Sequence, residues 1–129
     1  MARANSTTAD RVEDYGVALD RSSQLDGFTV NFVTITKSHD LAPILAALPT
    51  GKCTCPHWGY VLKGTVTFSD GEHEEHFGAG DAFYVAPGHL QSATAGTEYL
   101  QFSPTEEMKV VEATMMKNMQ RMQQMPGSG

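Results

Sequence analysis

No run of apolar residues in this chain approaches the roughly twenty needed to cross a bilayer. Its first residues, MARANSTTADRVEDYG, lack the apolar core of a secretory signal, so a cytoplasmic protein is expected. Lysine and arginine number 9 against 15 aspartates and glutamates, for a net charge of -6, and the basic residues never cluster. Nucleic acid and anionic membranes are bound through concentrated positive charge, so neither is an expected partner. The glycine patterns of P-loops and dinucleotide folds are missing, as is a nucleophile elbow; hydride transfer and serine hydrolysis lose their support. Cysteine is scarce, with only Cys53 and Cys55. One intervening residue would make their disulfide a very small, strained ring, and a reducing compartment would keep both as thiols. Metal binding or simple burial are the readings left for the pair.

The chain does have enough material for a core. Its 129 residues are 40% hydrophobic and 19% charged, the composition of one folded domain spanning 1–129. Residues 1–26 are polar and aperiodic and read as an N-terminal arm, with Tyr15, Val17 and Leu19 able to add a short edge strand. From 27 to 103 the chain reads as short strands between turns. Gly27–Thr36 is rich in β-branched and aromatic residues, and Tyr60–Phe68 is a strand interrupted at Lys63-Gly64. Glu72–Phe77 and Asp81–Ala86 follow the turns at Asp70-Gly71 and Gly78-Ala79-Gly80. Gln91–Thr94 and Thr97–Phe102 suggest a last hairpin across Ala95-Gly96. Leu41–Leu48 is a short helical or irregular apolar segment. His39, in a polar turn, is expected to be solvated, as is the polar strand His73-Glu74-Glu75-His76.

The end changes character. Ser103 as cap, Pro104 at the first helical position and Glu106 predict a helix over 104–124, with 125–129 as tail. Met108, Val111, Met115, Met119 and Met122 fall on one face at helical spacing. Packing on the barrel or on a second subunit accounts for that stripe.

The chemistry concentrates in CTCPHWGYVLKG (53–64) and GDAFYVAPGHLQ (80–91). Strand alternation puts Cys53, Cys55, His57, Gly59 and Val61 on one face, and Trp58, Tyr60 and Leu62 on the other. Pro56 cannot donate to a ladder, so the regular strand should begin after it. With His89 beyond the Pro87-Gly88 turn, four candidate metal ligands emerge: Cys53, Cys55, His57 and His89.

These two stretches resemble the motifs of the cupin superfamily, G(x)5HxH(x)3-4E(x)6G and G(x)5PxG(x)2H(x)3N. The likeness runs from about Phe28 to Phe102 and is that of a small single-domain bacterial cupin. It implies an all-β fold, a double-stranded β-helix or jelly-roll barrel, here with a C-terminal α-helix. On that pattern His57 stands where the family carries a glutamate ligand, and Cys53 where it carries its second histidine. Gly51 takes the first histidine's place. In the second motif Gly80, Ala86 and Gly88 fit, Gln91 takes the histidine's place, and His89 lies before it.

The resemblance implies a divalent metal and a small organic molecule held in the barrel. Thiolate and imidazole donors favour zinc, with iron, manganese or copper as alternatives. Four ligands would make a closed Cys2His2 site with a structural role; three would leave a position open for water or substrate. Gln91, Phe83, Val85 and Val61 are the candidate pocket residues, and the sequence assigns no catalytic one. Three functions stay open: a metalloenzyme of dioxygenase or isomerase/lyase type, a non-catalytic module sensing a ligand or metal, and a barrel with a structural zinc. Cupins often dimerise, so a homodimer is expected.

Overall fold

The computed structural model describes residues 1–40 and 52–123. Ten strands and one helix lie among the described residues. In chain order they are β1 (Arg11–Asp14), β2 (Ala18–Leu25), β3 (Phe28–Ile35), β4 (His39–Asp40) and β5 (His57–Lys63). Then come β6 (Thr65–Ser69), β7 (Glu74–Gly78), β8 (Ala82–Val85), β9 (Leu90–Ala93), β10 (Glu98–Pro104) and α1 (Thr105–Gln123). The strands form two sheets, ordered β1-β2-β3-β10-β5-β8 and β4-β9-β6-β7. Every pairing within them is antiparallel.

The sheets face each other across Val33 and Ile35 of β3, Val61 of β5, Val66 and Phe68 of β6, and Phe83 of β8. Val61 and Val66 are fully buried, each worth about 1.5–3 kcal/mol relative to exposure. Two glycines shape this interior. Gly64, at φ +76°, turns the chain from β5 in one sheet to β6 in the other, a conformation that costs a side-chain-bearing residue more. Gly59 leaves room for the Phe83 ring; a Cβ there would also come within 2.6 Å of the Leu100 carbonyl oxygen.

Several sequence expectations change. The polar segment read as an arm holds two strands, β1 and β2, with β2 fully paired to β3. Its inward positions include Asp20 and Ser22, and polar residues on an inner face hide the usual alternation of apolar and polar types. The last two barrel strands are not a hairpin: β9 pairs with β6, whereas β10 crosses to lie between β3 and β5. Ser103 does not cap the helix. Strand β10 runs through Pro104, the helix starts at Thr105, and the Ser103 hydroxyl bonds to His57. The helix is tied instead by the Thr105 N–H to the Gly27 carbonyl, 2.9 Å, and by the paired hydroxyls of Thr29 and Thr105, 2.9 Å.

Met108 and Val111 of α1 are buried against Cys53 and Cys55, with Met115 partly buried beside them. The expected apolar face is therefore seen as far as Met115. Leu41–Leu48, Gly51, the side chains of Met119 and Met122, and residues 124–129 lie outside the described residues.

Candidate metal and ligand site

The site forms where two irregular segments meet. Cys53 and His89 make an isolated antiparallel bridge: the Cys53 N–H donates to the His89 carbonyl at 2.8 Å, and the Gly88 N–H to the Cys53 carbonyl at 2.8 Å. Gly88 has φ +94°, so the Pro87-Gly88 turn aims the following residue inward. His57, the first residue of β5, comes in from the side. One donor atom from each of Cys53, His57 and His89 lies within 4.8 Å of the others, and all three residues are buried. Cys53 Sγ is 3.5 Å from His57 Nε2, and the two imidazole centres are 4.9 Å apart, edge to face.

Outer hydrogen bonds set which nitrogen each ring presents. His89 Nδ1 lies 2.8 Å from the Ala86 carbonyl, which only accepts, so Nδ1 carries the proton and Nε2 has a free lone pair. His57 Nδ1 lies 2.7 Å from Ser103 Oγ, and its Nε2 faces Cys53. Burial, helped by the neighbouring His89, lowers the His57 pKa to about 3, so its ring is neutral at physiological pH. Burial lowers His89 as well and raises the Cys53 thiol. Two neutral imidazoles with oriented tautomers and a thiol that can lose its proton to a cation make a donor set that fits a divalent metal.

Cys55 is not in this set. Regular alternation does not hold before Pro56: Cys53 sits in its bridge, Cys55 in a bend, and the ladder begins only at His57. The Cys55 thiol lies 3.5 Å from the Pro56 carbonyl and packs, fully buried, in the apolar cluster under α1. Burial pushes it up to about 12, where it is a protonated packing residue. The closed Cys2His2 arrangement is therefore not the one this geometry provides.

The donors border an inner cavity walled by β2, β3, β10 and α1, in part by Val33, Ile35, Met108 and Met115. Of the expected pocket residues, Gln91 lines it, donating from Nε2 to the Tyr99 hydroxyl at 2.8 Å. Phe83 and Val61 belong instead to the packed core, because aromatic rings from Phe68, Phe77 and Tyr99 surround Phe83 and fill that end of the barrel. Val85 borders a separate surface cleft, shared with Tyr84 and His89. His39, expected in solvent, reaches the cavity's edge, its Nδ1 3.1 Å from the Lys37 carbonyl. His73 and His76 stay at the surface beside Asp70 (3.7 Å) and Glu74 (3.5 Å).

Sequence reading missed Asp20, Gln101 and Glu112 on the cavity wall, and Ser103 behind His57. Asp20 is mostly buried, and burial raises its pKa to about 6, against the hydrogen bonds from Asn31 that favour its charged form. The available signal was the polar inward register of β2, visible only once β2 is known to be a strand.

Two antiparallel sheets closed into a barrel, with metal-type donors at the start of one strand and after a later Pro-Gly turn, give this chain a cupin-type jelly-roll fold. The family described as "AraC-like ligand binding domain" matches residues 57–105. The polyketide cyclase RemF from Streptomyces resistomycificus superposes with a TM-score of 0.57 at 19% identity, over 81% of this chain and 79% of that one. An RmlC-like cupin from Shewanella frigidimarina gives 0.55 at 18%, over 78% and 88%. KdgF from Halomonas sp. gives 0.53 at 16%, over 73% and 86%. No curated protein sequence matches the chain. Among the described residues no helix is long and apolar enough to cross a membrane.

Proposed function

We propose that this protein is a metal-binding cupin that holds a small organic molecule in its inner cavity, beside a metal carried by Cys53, His57 and His89. The observation that carries this reading is the convergence of three buried donors on the wall of a cavity. Thiolate with two imidazoles suits zinc first, then iron or copper; manganese fits a sulfur donor less well. Three protein ligands leave a coordination position open. A metal bound there would supply Lewis acidity or an activated water. The chain's own part is to orient both imidazoles through Ser103 and the Ala86 carbonyl and to exclude water with Met108, Val111 and Met115.

Two observations divide the enzymatic reading from the sensing one. Asp20, near half-protonation at about pH 6 and facing the cavity, is a group able to exchange a proton with a bound molecule, which supports an enzyme. The match to a ligand-binding family supports a sensor. Small-molecule binding is common to both.

We also infer a homodimer through the outer face of the larger sheet. Phe102, Trp58 and Tyr84 stand side by side across β10, β5 and β8, and all three are exposed. Tyr60 and Leu62 continue the patch along β5. An apolar surface of this kind on a sheet is a usual place for association.

Elemental analysis of the purified protein tests the central claim. One metal per chain is expected, lost in Cys53→Ser, His57→Ala and His89→Ala but kept in Cys55→Ala. A wild-type protein that is folded, metal-free and unable to take up zinc would sink it.

A further inference from the structure

The inner wall carries more polar chemistry than the metal donors require. In the strand register, Asp20 of β2 lies beside Val33, which lies beside Tyr99. The adjacent row runs Ser22, Asn31, Gln101 and Gly59 across β2, β3, β10 and β5. Asp20, Asn31 and Gln101 thus form a contiguous polar patch inside the barrel. Buried polar groups are costly unless satisfied, and most native ones are.

This patch is not satisfied from within. Gln101 is only 6% exposed and borders the cavity, yet no hydrogen bond reaches its carboxamide from the described residues. Asn31 is 1% exposed; its Nδ2 donates to both oxygens of Asp20 at 3.0 Å, and its Oδ1 has no partner. The Asn31 amide therefore holds the Asp20 carboxylate in place while leaving that carboxylate further lone pairs. Gln91 spends its amide on Tyr99, and among the described residues nothing donates to its carbonyl oxygen.

The balance of charge is equally one-sided. Among the described residues no lysine or arginine borders the cavity. Glu112 does, and Arg11 Nη1 holds it at 2.7 Å; among the described residues no ion pair reaches Asp20, on which Arg11 acts only through space. Val33, Ile35, Met108 and Met115 supply the apolar part of the wall.

We propose that Asp20, oriented by Asn31, and Gln101 form a recognition subsite for the hydrogen-bond-donating head, hydroxyl or ammonium, of a ligand with an apolar body. The subsite rejects carboxylates at that position. It deepens the ligand-binding reading above by naming the ligand's chemistry. A subsite built around the Asp20 carboxylate discriminates chiefly by setting an incoming carboxylate beside a like charge, against which Gln101 and Tyr99 offer only neutral donors.

Benzyl alcohol, benzylamine and benzoate share one ring and differ in the head, so they serve as probes. Each is titrated by calorimetry into the full-length protein at pH 7.5, with metal bound and again after chelation. The alcohol, the amine or both should bind at least tenfold more tightly than benzoate in the chelated protein, where benzoate has no metal to ligate. Preference for the amine assigns the head as ammonium; equal binding of the alcohol assigns it as a hydroxyl. Asp20→Asn should shrink the discrimination against benzoate at least fivefold, mainly by letting benzoate in. Gln101→Leu, which leaves the carboxylate untouched, should weaken the donor probes severalfold, with thermal melting confirming that both variants are folded. Benzoate binding as well as the other two, no binding of any probe, or discrimination unchanged in both folded variants would overturn the subsite. Failure of the metal reading is seen separately, in metal content.

Discussion

Ser103 Oγ stands 2.7 Å from Nδ1 of His57, so an inward residue near the end of β10 determines which nitrogen His57 turns toward Cys53 and His89. Replacing it with alanine should keep the fold while leaving a buried ring nitrogen unpaired, a loss of about 1–3 kcal/mol. Support of this kind typically changes metal affinity about 10–100-fold. Competition with a chromogenic chelator should show weaker metal binding in Ser103→Ala, with Ser103→Thr retaining more of it. Equal affinity in wild type and Ser103→Ala would mean that the hydroxyl is packing only.

Cys55 provides the contrast. It is fully buried but outside the donor set. Cys55→Ala should leave metal content unchanged and cost roughly 1 kcal/mol in a urea melt, the scale of a small buried group lost from a core. Loss of the metal in this variant would return Cys55 to the ligands.

The carboxyl of Asp20 makes stability depend on pH. Its pKa rises from 3.8 to about 6 on folding, chiefly through burial, with Glu112 adding to the rise and the Asn31 hydrogen bonds and Arg11 opposing it. An acid raised in this way binds its proton more tightly when folded. Its contribution is therefore most favourable below about pH 4, declines as pH rises to about 6, and stays unfavourable above. The decline should be on the order of 3 kcal/mol. Melting Asp20→Asn beside wild type from pH 4 to 8 should give a difference in stability that grows in the variant's favour between pH 4 and 6. A flat difference would contradict the burial of this carboxyl.

Gly59 has no space for a side chain. A Cβ would press into the Phe83 ring and against the Leu100 carbonyl oxygen. Gly59→Ala should destabilise by about 1–3 kcal/mol, the usual range for overpacking. Because Phe83 touches none of the three donors directly, metal content per folded molecule should be preserved.

Chelation should lower the melting temperature of the wild type but not of His57→Ala. A ligand present at about a hundred times its dissociation constant adds about 2.7 kcal/mol to stability, and removing it takes that away. Equal shifts in both proteins would place any bound metal elsewhere.

Much of the barrel could be read from local chemistry. The β-branched run at Gly27–Thr36, the Asp70-Gly71 turn and the cupin-like spacing around Gly64 and Gly88 all correspond to observed elements. Cys53, His57 and His89 could be picked out because soft donors near glycine turns are unusual. Other features depended on partners far away in sequence. Whether Cys55 faces the donors or the helix follows from Pro56 delaying the ladder and from Met108 and Val111 arriving from residue 105 onward. Ser103 looked like a cap because its local sequence suits one; His57 makes the competing use of its hydroxyl. Asp20 and Gln101 carry no local mark at all. They matter because register places them on an inner face, and a polar residue on an unrecognised strand looks like a loop.

His89 borders both the inner cavity and the outer cleft beside Tyr84 and Val85. One aromatic ring thus separates the innermost chemistry of the barrel from a depression on its surface. A substitution in the outer cleft, at Tyr84 or Val85, therefore lies one side chain away from the inner donors.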